Sequence, residues 1–365
     1  MPEIPEIPLV DIGQGGGIAL FDAQADRAAA LVETTLSSHA LLPLAARFAD
    51  QVSRRWLTRQ ANPYRNEIEY IAERLSRRGV YFLNIVYEWA CSTSAARDPT
   101  GSGARLIRVL DWGLTGIGRY VVIARHETTH GPFYNVTWPG FVGVLTAMAP
   151  GRFAAAINQA PRMPIIGPRW LDEALGRMRL VRLGGAMPAA HLLRQVCEEA
   201  GDYETAVTML MDRSISLAMP AIFSLSGSEG TQCCVIEAIA RDRRLHRGAE
   251  IDNFTVGVAN DWLSPDLDGA PRPHALEWER VAPRENNQVR RKAVCALQGG
   301  AFAGTTDLAP PVLNGHTVLV AAANAATGEM LVEALDPIPG QGPVPQVVAR
   351  RVVQHQTSNK EALRC

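Results

Sequence analysis

The chain has 365 residues, 47% of them hydrophobic and 20% charged, with a formal net charge of −1 at pH 7. That is ordinary globular composition with ample length for a large core. Near neutrality excludes bulk electrostatic attraction to nucleic acid or to an anionic membrane, and no apolar run approaches the ~20 residues that a membrane span needs.

The opening residues, Met1-Pro-Glu-Ile-Pro-Glu-Ile-Pro8, have neither the basic region nor the apolar core of a signal peptide. A cytoplasmic location with reduced thiols is therefore expected for Cys91, Cys197, Cys233, Cys234, Cys295 and Cys365, none of which forms a CxxC pair. Residues 1–22 are rich in Pro and Gly and read as a loop. Gly13-Gln-Gly-Gly-Gly17 lacks the strand-to-helix frame of a phosphate loop. Residues 25–57 are helical in character, with Ala45, Phe48, Ala49, Val52 and Trp56 on one stripe. Asn62-Pro63 breaks that pattern. A second helix follows with Tyr64, Ile68, Ile71 and Leu75 on one face, closed by Arg77-Arg78-Gly79.

Residues 81–94 form a nearly continuous apolar run that reads as a strand buried on both faces, with Cys91 near its end and Ser and Thr directly after it. Residues 104–111, 119–125, 141–146 and 152–158 are short β-like runs punctuated by Gly and Pro, the pattern of an antiparallel sheet. Residues 164–212 turn helical, with Asp202 as an N-cap. Strands are expected again at 221–225, 232–238 and 253–258, a helix at 287–297, and a final hairpin at 316–323 and 330–334. Strand blocks interleaved with helix pairs predict an α+β layered domain, two sheets packed together with helices outside.

Among the cysteines only Cys91 has surroundings that suggest chemistry. It leaves an apolar strand, and Arg108 and Asp111 follow where a second strand holds them beside the thiol. Singly, these residues are ordinary: a buried cysteine is usually a small hydrophobe, Arg108 an ion-paired residue, Asp111 a turn carboxylate and Asn260 a turn former. Their order is what carries the argument. Asn84-Ile-Val-Tyr-Glu-Trp-Ala-Cys-Ser-Thr-Ser94 followed by Arg108-Val-Leu-Asp111 resembles the acid ceramidase branch of the cysteine N-terminal nucleophile hydrolases, which includes N-acylethanolamine acid amidase. Choloylglycine hydrolase and penicillin V acylase are more distant relatives. Trp138-Pro-Gly-Phe-Val-Gly-Val-Leu-Thr146, Pro150-Gly-Arg-Phe153, Asn158, Ser226-Gly-Ser-Glu-Gly230 and Asn260-Asp261-Trp262 extend the resemblance over most of the chain. Val109 and Gln159 depart from the family pattern, replacing an Asn near the site and a Glu.

The resemblance implies a four-layer αββα sandwich preceded by a helical pro-segment, residues 1–90, with the catalytic domain in 91–365. It implies self-cleavage between Ala90 and Cys91, after which the Cys91 α-amine serves as base and the thiolate as nucleophile. Arg108 would lower the thiol pKa, Asp111 would orient the amine and Asn260 would stabilise the oxyanion. Arg290 or Arg291 would supply a late arginine. Trp112, Trp138, Phe141 and Asn158 would line the substrate pocket. The implied activity is hydrolysis of a non-peptide amide with a lipid-like or aromatic acyl group, without a cofactor. The expected partners are a small N-acyl amide and the retained pro-segment, with a homo-oligomer left open. An acyltransferase or a non-catalytic acyl-amide-binding member is the alternative. His126-Glu127-Thr-Thr-His130 matches the H-E-x-x-H zinc pattern, but strand character before it and Gly131-Pro132 after it predict a loop, where the two histidines do not share a helix face. Asn135-Val-Thr137 is a glycosylation sequon only in a secreted chain.

Overall fold

The computed structural model describes residues 3–37, 42–76, 79–84, 89–161, 186–250, 254–267, 283–338 and 344–355. The elements in order are β1 (Leu9–Gly13), α1 (Gly16–Ala23), α2 (Ala25–Ser37), α3 (Leu42–Arg59), α4 (Arg65–Leu75), α5 (Val80–Leu83), β2 (Trp89–Arg97) and β3 (Ala104–Trp112). β4 (Val122–His126), β5 (Phe133–Thr137), β6 (Thr146–Ala149), β7 (Phe153–Gln159), β8 (Ala186–Met187), α6 (Ala189–Glu199), α7 (Tyr203–Met211) and β9 (Ser216–Leu217) follow. The last are β10 (Ala221–Gly227), β11 (Cys233–Ile239), β12 (Asp242–Arg247), β13 (Val256–Val258), α8 (Pro283–Ala296), β14 (Thr317–Asn324), β15 (Glu329–Asp336) and β16 (Gln346–Gln354).

Two large sheets face each other. One has six strands in the order β13-β2-β3-β14-β15-β16, and the other has eight in the order β1-β4-β5-β6-β7-β10-β11-β12. Every pairing in them is antiparallel except β1 on β4, which is parallel with Leu9 opposite Ile123. Strand alternation assigns the faces. Thr93 reaches across from β2 to Asn158 of β7, while its neighbour Ser94 donates to the Val294 carbonyl of α8 on the opposite side. On the eight-stranded sheet, α6 and α7 pack against the face turned away from β2. The layers therefore run helix, sheet, sheet, helix, the αββα sandwich expected from the sequence. Its core lies between the sheets and is filled by small and branched residues such as Ala95, Leu106, Ala154, Ala156, Val136 and Ala321, all buried.

The helices α1 to α5 build a second core from Phe21, Ala28, Trp56, Leu57, Tyr64, Ile68, Ile71, Val80 and Tyr81. Val142, Ala186 and Ala218 from later in the chain complete it. Tyr64, Ile68 and Ile71 face it as the helical spacing predicts, and Asp202 caps α7 by accepting the Thr205 N–H at 2.7 Å.

Several expectations are corrected. Residues 1–22 are not a plain loop. They contain β1 and α1, and the partner of β1 lies more than a hundred residues away, beyond any local signal. The glycine cluster serves close packing, since a Cβ on Gly16 would sit 2.8 Å from both Arg194 Nη2 and Glu67 Oε1. The run 81–94 is not one strand. α5 opens it and β2 begins only at Trp89, with residues 85–88 outside the described residues. Asn84 ends α5 by donating to the Val80 and Gly140 carbonyls and accepting the Val142 N–H at 2.8 Å. The strand expected at 141–146 is displaced to β6, because Val144 N–H bonds the Ala190 carbonyl of α6 instead of a sheet neighbour. β5, β12 and β16 were not anticipated, the last two because their charged residues belong to strands at sheet edges. Of the helical stretch 164–212, residues 164–185 lie outside the described residues, as does residue 253 of the expected strand 253–258.

Candidate active site

Cys91 is the third residue of β2, opposite Leu110 of β3, and Ala90 is opposite Asp111. The side chain of Cys91 points between the sheets and is fully buried. Arg108, two residues from Leu110 along β3 and opposite Thr93, shares that face. Its Nη2 lies 3.1 Å from Cys91 Sγ, and its Nη1 donates to the Ile157 carbonyl (2.7 Å) and to Asn158 Oδ1 (3.0 Å). The backbone N–H of Gln159 also bonds the sulfur. Thr93 Oγ1 donates to the same Asn158 oxygen at 2.5 Å, and Asn158 Nδ2 donates to the Val258 and Ala259 carbonyls.

Arg108 and Asp111 are three residues apart, so on a strand they face opposite ways. Asp111 accordingly sits on the α8 side of the sheet, where it accepts from Thr317 Oγ1 at 2.8 Å and lies 4.0 Å from Arg290 Nη1. Arg290 enters from α8 and donates to the Cys91 carbonyl (2.8 Å), Ser92 Oγ (3.2 Å), Asn260 Oδ1 (3.1 Å), Asn287 Oδ1 (2.6 Å) and, through Nε, Asn286 Oδ1 (2.9 Å). Arg290 is fully buried whereas Arg291 is exposed, so Arg290 is the late arginine that reaches the site. Asn260 follows β13 and accepts the Cys91 backbone N–H at 2.8 Å, while its Nδ2 donates to the Gln159 carbonyl at 2.8 Å. The structure thus brings Cys91, Arg108, Asp111, Asn260 and Arg290 together around the first residues of β2. The thiol and Arg108 lie on the inner face, and Asp111 and Arg290 on the outer.

Four details differ from the sequence reading. In the uncleaved chain burial pushes the Cys91 thiol up to about 11. Arg108 pulls it down and Asp111 pushes it further up, so desolvation outweighs the arginine. The Asn260 carboxamide turns its oxygen, not its nitrogen, toward Cys91. Asn158, expected against substrate, is fully buried and spends its carboxamide on Thr93, Arg108 and two carbonyls, so it braces the two sheets. Val109 points away from Arg108 into a cluster with Leu308, Val312, Val320 and Leu335, so the residue at that position does not alter the thiol's surroundings. Trp112 and Trp138 meet edge to face at 5.5 Å, and the Trp138 Nε1 donates to the Ile117 carbonyl at 2.9 Å. Phe141 is half-buried beside that core. Sequence reasoning missed Asn286, Asn287 and Thr317. The spacing Asn286-Asn287-x-x-Arg290 on a helix was a usable signal, since residues three and four apart share a face.

His126 ends β4, stacked on Phe133 at 4.2 Å, with burial lowering its pKa to about 3, and His130 lies in the following turn. The H-E-x-x-H stretch is a strand end and a turn. Among the described residues no cluster of His, Cys, Asp or Glu is arranged to hold a metal.

Two mostly antiparallel sheets thus lie between helices, with Cys91 near the start of β2 and its thiol in the space between them. The chain is 27% identical over 226 residues to the probable acid ceramidase of Caenorhabditis elegans, a match covering 55% of this chain. The match covers 52% of that relative, so the chain spans about half the length of the curated relative it matches. No family model matches the chain. Among solved structures, the N-acylethanolamine-hydrolyzing acid amidase ortholog of Caenorhabditis elegans is 15% identical, covers 65% of this chain and 93% of its own, and has a TM-score of 0.48. Penicillin V acylase from Agrobacterium tumefaciens is 12% identical, with 66% and 82% covered and a TM-score of 0.36. A conjugated bile acid hydrolase mutant from Clostridium perfringens is 8% identical, with 73% and 93% covered and a TM-score of 0.42.

Proposed function

We propose that the chain is a cysteine amidohydrolase that cleaves the C–N bond of a small N-acyl amide and matures by cutting itself between Ala90 and Cys91. The observation that carries this is the setting of Cys91: its thiol lies 3.1 Å from a buried guanidinium while its own N–H is held by a side-chain carbonyl at 2.8 Å. A structural cysteine needs neither.

In maturation, Cys91 Sγ attacks the Ala90 carbonyl carbon. The C–N bond of the scissile peptide breaks, the thiol proton passes to the departing nitrogen, and Ala90 is left as a thioester on the sulfur. Water hydrolyses that thioester, giving a carboxylate on Ala90 and a Cys91 with free amine and free thiol. Asn260 Oδ1, already bonded to this nitrogen, then orients the α-amine, and Asp111 opposite Ala90 offers it a second acceptor. In catalysis the amine takes the thiol proton and the sulfur attacks the substrate carbonyl. The leaving amine departs with that proton, and water releases the acid from the acyl-thioester. Arg108 favours the negative sulfur. The Gln159 N–H, bonded to the sulfur in the uncut chain, and Asn260 Nδ2, which donates to the Gln159 carbonyl there, are the donors assigned to the negative charge that forms on the carbonyl oxygen. Trp112, Trp138 and Phe141 supply an apolar wall suited to a lipid-like or aromatic acyl group.

Residues 1–90 stay bound as the smaller chain in this reading. β1 is a strand of the eight-stranded sheet, Ile7 is fully buried, and α4 is tied to α6 by the Glu67–Arg194 pair at 2.7 Å. The test is denaturing mass measurement of the purified protein beside Cys91→Ala, followed by turnover of a panel of N-acyl amides of varied chain length. Two fragments meeting at Ala90 and Cys91 in the wild type alone, with amide turnover by the cut form, are expected. A chain that stays intact across acidic and neutral pH and releases no amine overturns the proposal.

A further inference from the structure

One carboxamide oxygen on α8 connects the two groups that grip Cys91. Asn287 Oδ1 accepts the backbone N–H of Asn260 at 2.9 Å and Arg290 Nη2 at 2.6 Å. Asn260 holds the Cys91 N–H, and Arg290 holds the Cys91 carbonyl at 2.8 Å. Arg290 Nη2 also bonds Asn260 Oδ1 at 3.1 Å, so Asn260, Arg290 and Asn287 close a ring of hydrogen bonds. All three are buried, which removes water as a substitute partner. Asn286 bonds only the Arg290 Nε in this network, which makes Asn287 the residue that sets both arms.

We propose that Asn287 is a positioning residue of the amidase site: by accepting from the Asn260 backbone and from Arg290 together, it fixes the direction in which the Asn260 carboxamide presents its oxygen to the Cys91 nitrogen. This rests on the cysteine amidase activity proposed above. Without the Asn287 oxygen, the Asn260 N–H is left buried and unpaired and the segment leading from β13 turns to find another acceptor. The oxygen of Asn260 then swings off the nitrogen that must act as base.

The experiment compares Asn287→Leu, Asn287→Asp and a control, Gln298→Ala, each as the full chain. Gln298 is equally buried and follows α8, but it ties Ser94 and Arg105, away from the Cys91 nitrogen. The rate of cutting at Ala90 is followed by mass, and hydrolysis of a fluorogenic long-chain N-acyl aminocoumarin gives kcat, KM and the pH dependence of kcat. In Asn287→Leu both the cutting rate and kcat fall roughly 10–100-fold, as misplacement of a reacting group by about an ångström does. KM is unchanged and the acid limb of the kcat profile shifts. Asn287→Asp keeps both acceptor contacts and recovers most of the loss. Gln298→Ala lowers the melting temperature with kcat intact. If Asn287→Leu keeps the wild-type kcat and pH limb, or loses no more than Gln298→Ala at equal melting temperature, the positioning role is refuted. If the wild type itself neither cuts nor turns over the probe, the amidase reading has failed and this role falls with it.

Discussion

Replacing Arg194 by methionine isolates the ion cluster that joins α4 to α6. Arg194 donates to Glu67 through two parallel bonds (2.7 and 2.8 Å), to Glu198 (2.8 Å) and to the Val142 carbonyl (2.9 Å), and its guanidinium lies 4.1 Å over the Tyr64 ring. Methionine refills most of the volume without charge. Glu198 keeps the Tyr64 hydroxyl at 2.7 Å, and Glu67 keeps the Gly17 N–H at 2.6 Å. Removing one partner of a buried pair costs about 3–5 kcal/mol. The Arg194 side chain is 4% exposed and that of Glu67 19%, which places the loss at the low end, about 3 kcal/mol. Because the pair spans residues 1–90 and 91–365, the loss weakens the hold of one fragment on the other by about 100-fold once the chain is cut. The assay is the urea midpoint of the cut protein for Arg194→Met, Glu67→Gln and the double variant, which together form a cycle. A coupling above about 1.5 kcal/mol is expected. A total loss below about 1 kcal/mol would mean that the pair behaves as a solvated surface bridge, and the reasoning from burial would be wrong.

Other outcomes follow from the same structure. In the uncleaved chain the thiolate of Cys91 forms only as pH climbs toward the raised pKa of about 11. Iodoacetamide labelling at pH 7, read by mass, should therefore be at least about 100-fold slower in the native chain than in denaturant, where the thiol returns to near 8.5. Equal rates would show the sulfur to be exposed or activated before cleavage. Gly118→Ala would place a Cβ 2.1 Å from the Leu335 carbonyl oxygen and should lower stability by roughly 1–3 kcal/mol in thermal unfolding. His130→Ala and a chelator should both leave amide turnover unchanged, since His130 lies in a turn rather than on a helix face with His126. Loss of activity in either would return the zinc reading to consideration.

Much of the architecture was written in local pattern. The helical stripe through Tyr64, Ile68 and Ile71, the N-cap at Asp202 and the Gly- and Pro-punctuated β-like runs at 104–111 and 152–158 depend on neighbours a few residues away, so periodicity, capping and turn residues reveal them. The spacing of Arg108 and Asp111 even contained their separation onto two faces, because an odd offset on a strand always does that. What the chain alone left open is whatever depends on partners distant in sequence. β1 exists because β4 offers it an edge, and β12 and β16 because a sheet needs terminal strands whose outer edges can carry charge. The choice of Arg290 over Arg291 depended on which side of α8 faces β2. The ionisation of Cys91 depended on the balance between one nearby arginine and complete removal from water, and that balance belongs to the packed interior rather than to any stretch of residues. Asn287 shows the same limit: its two partners lie 27 residues back along the chain and three residues ahead, and only the packing of α8 on β2 and β13 brings them to one oxygen.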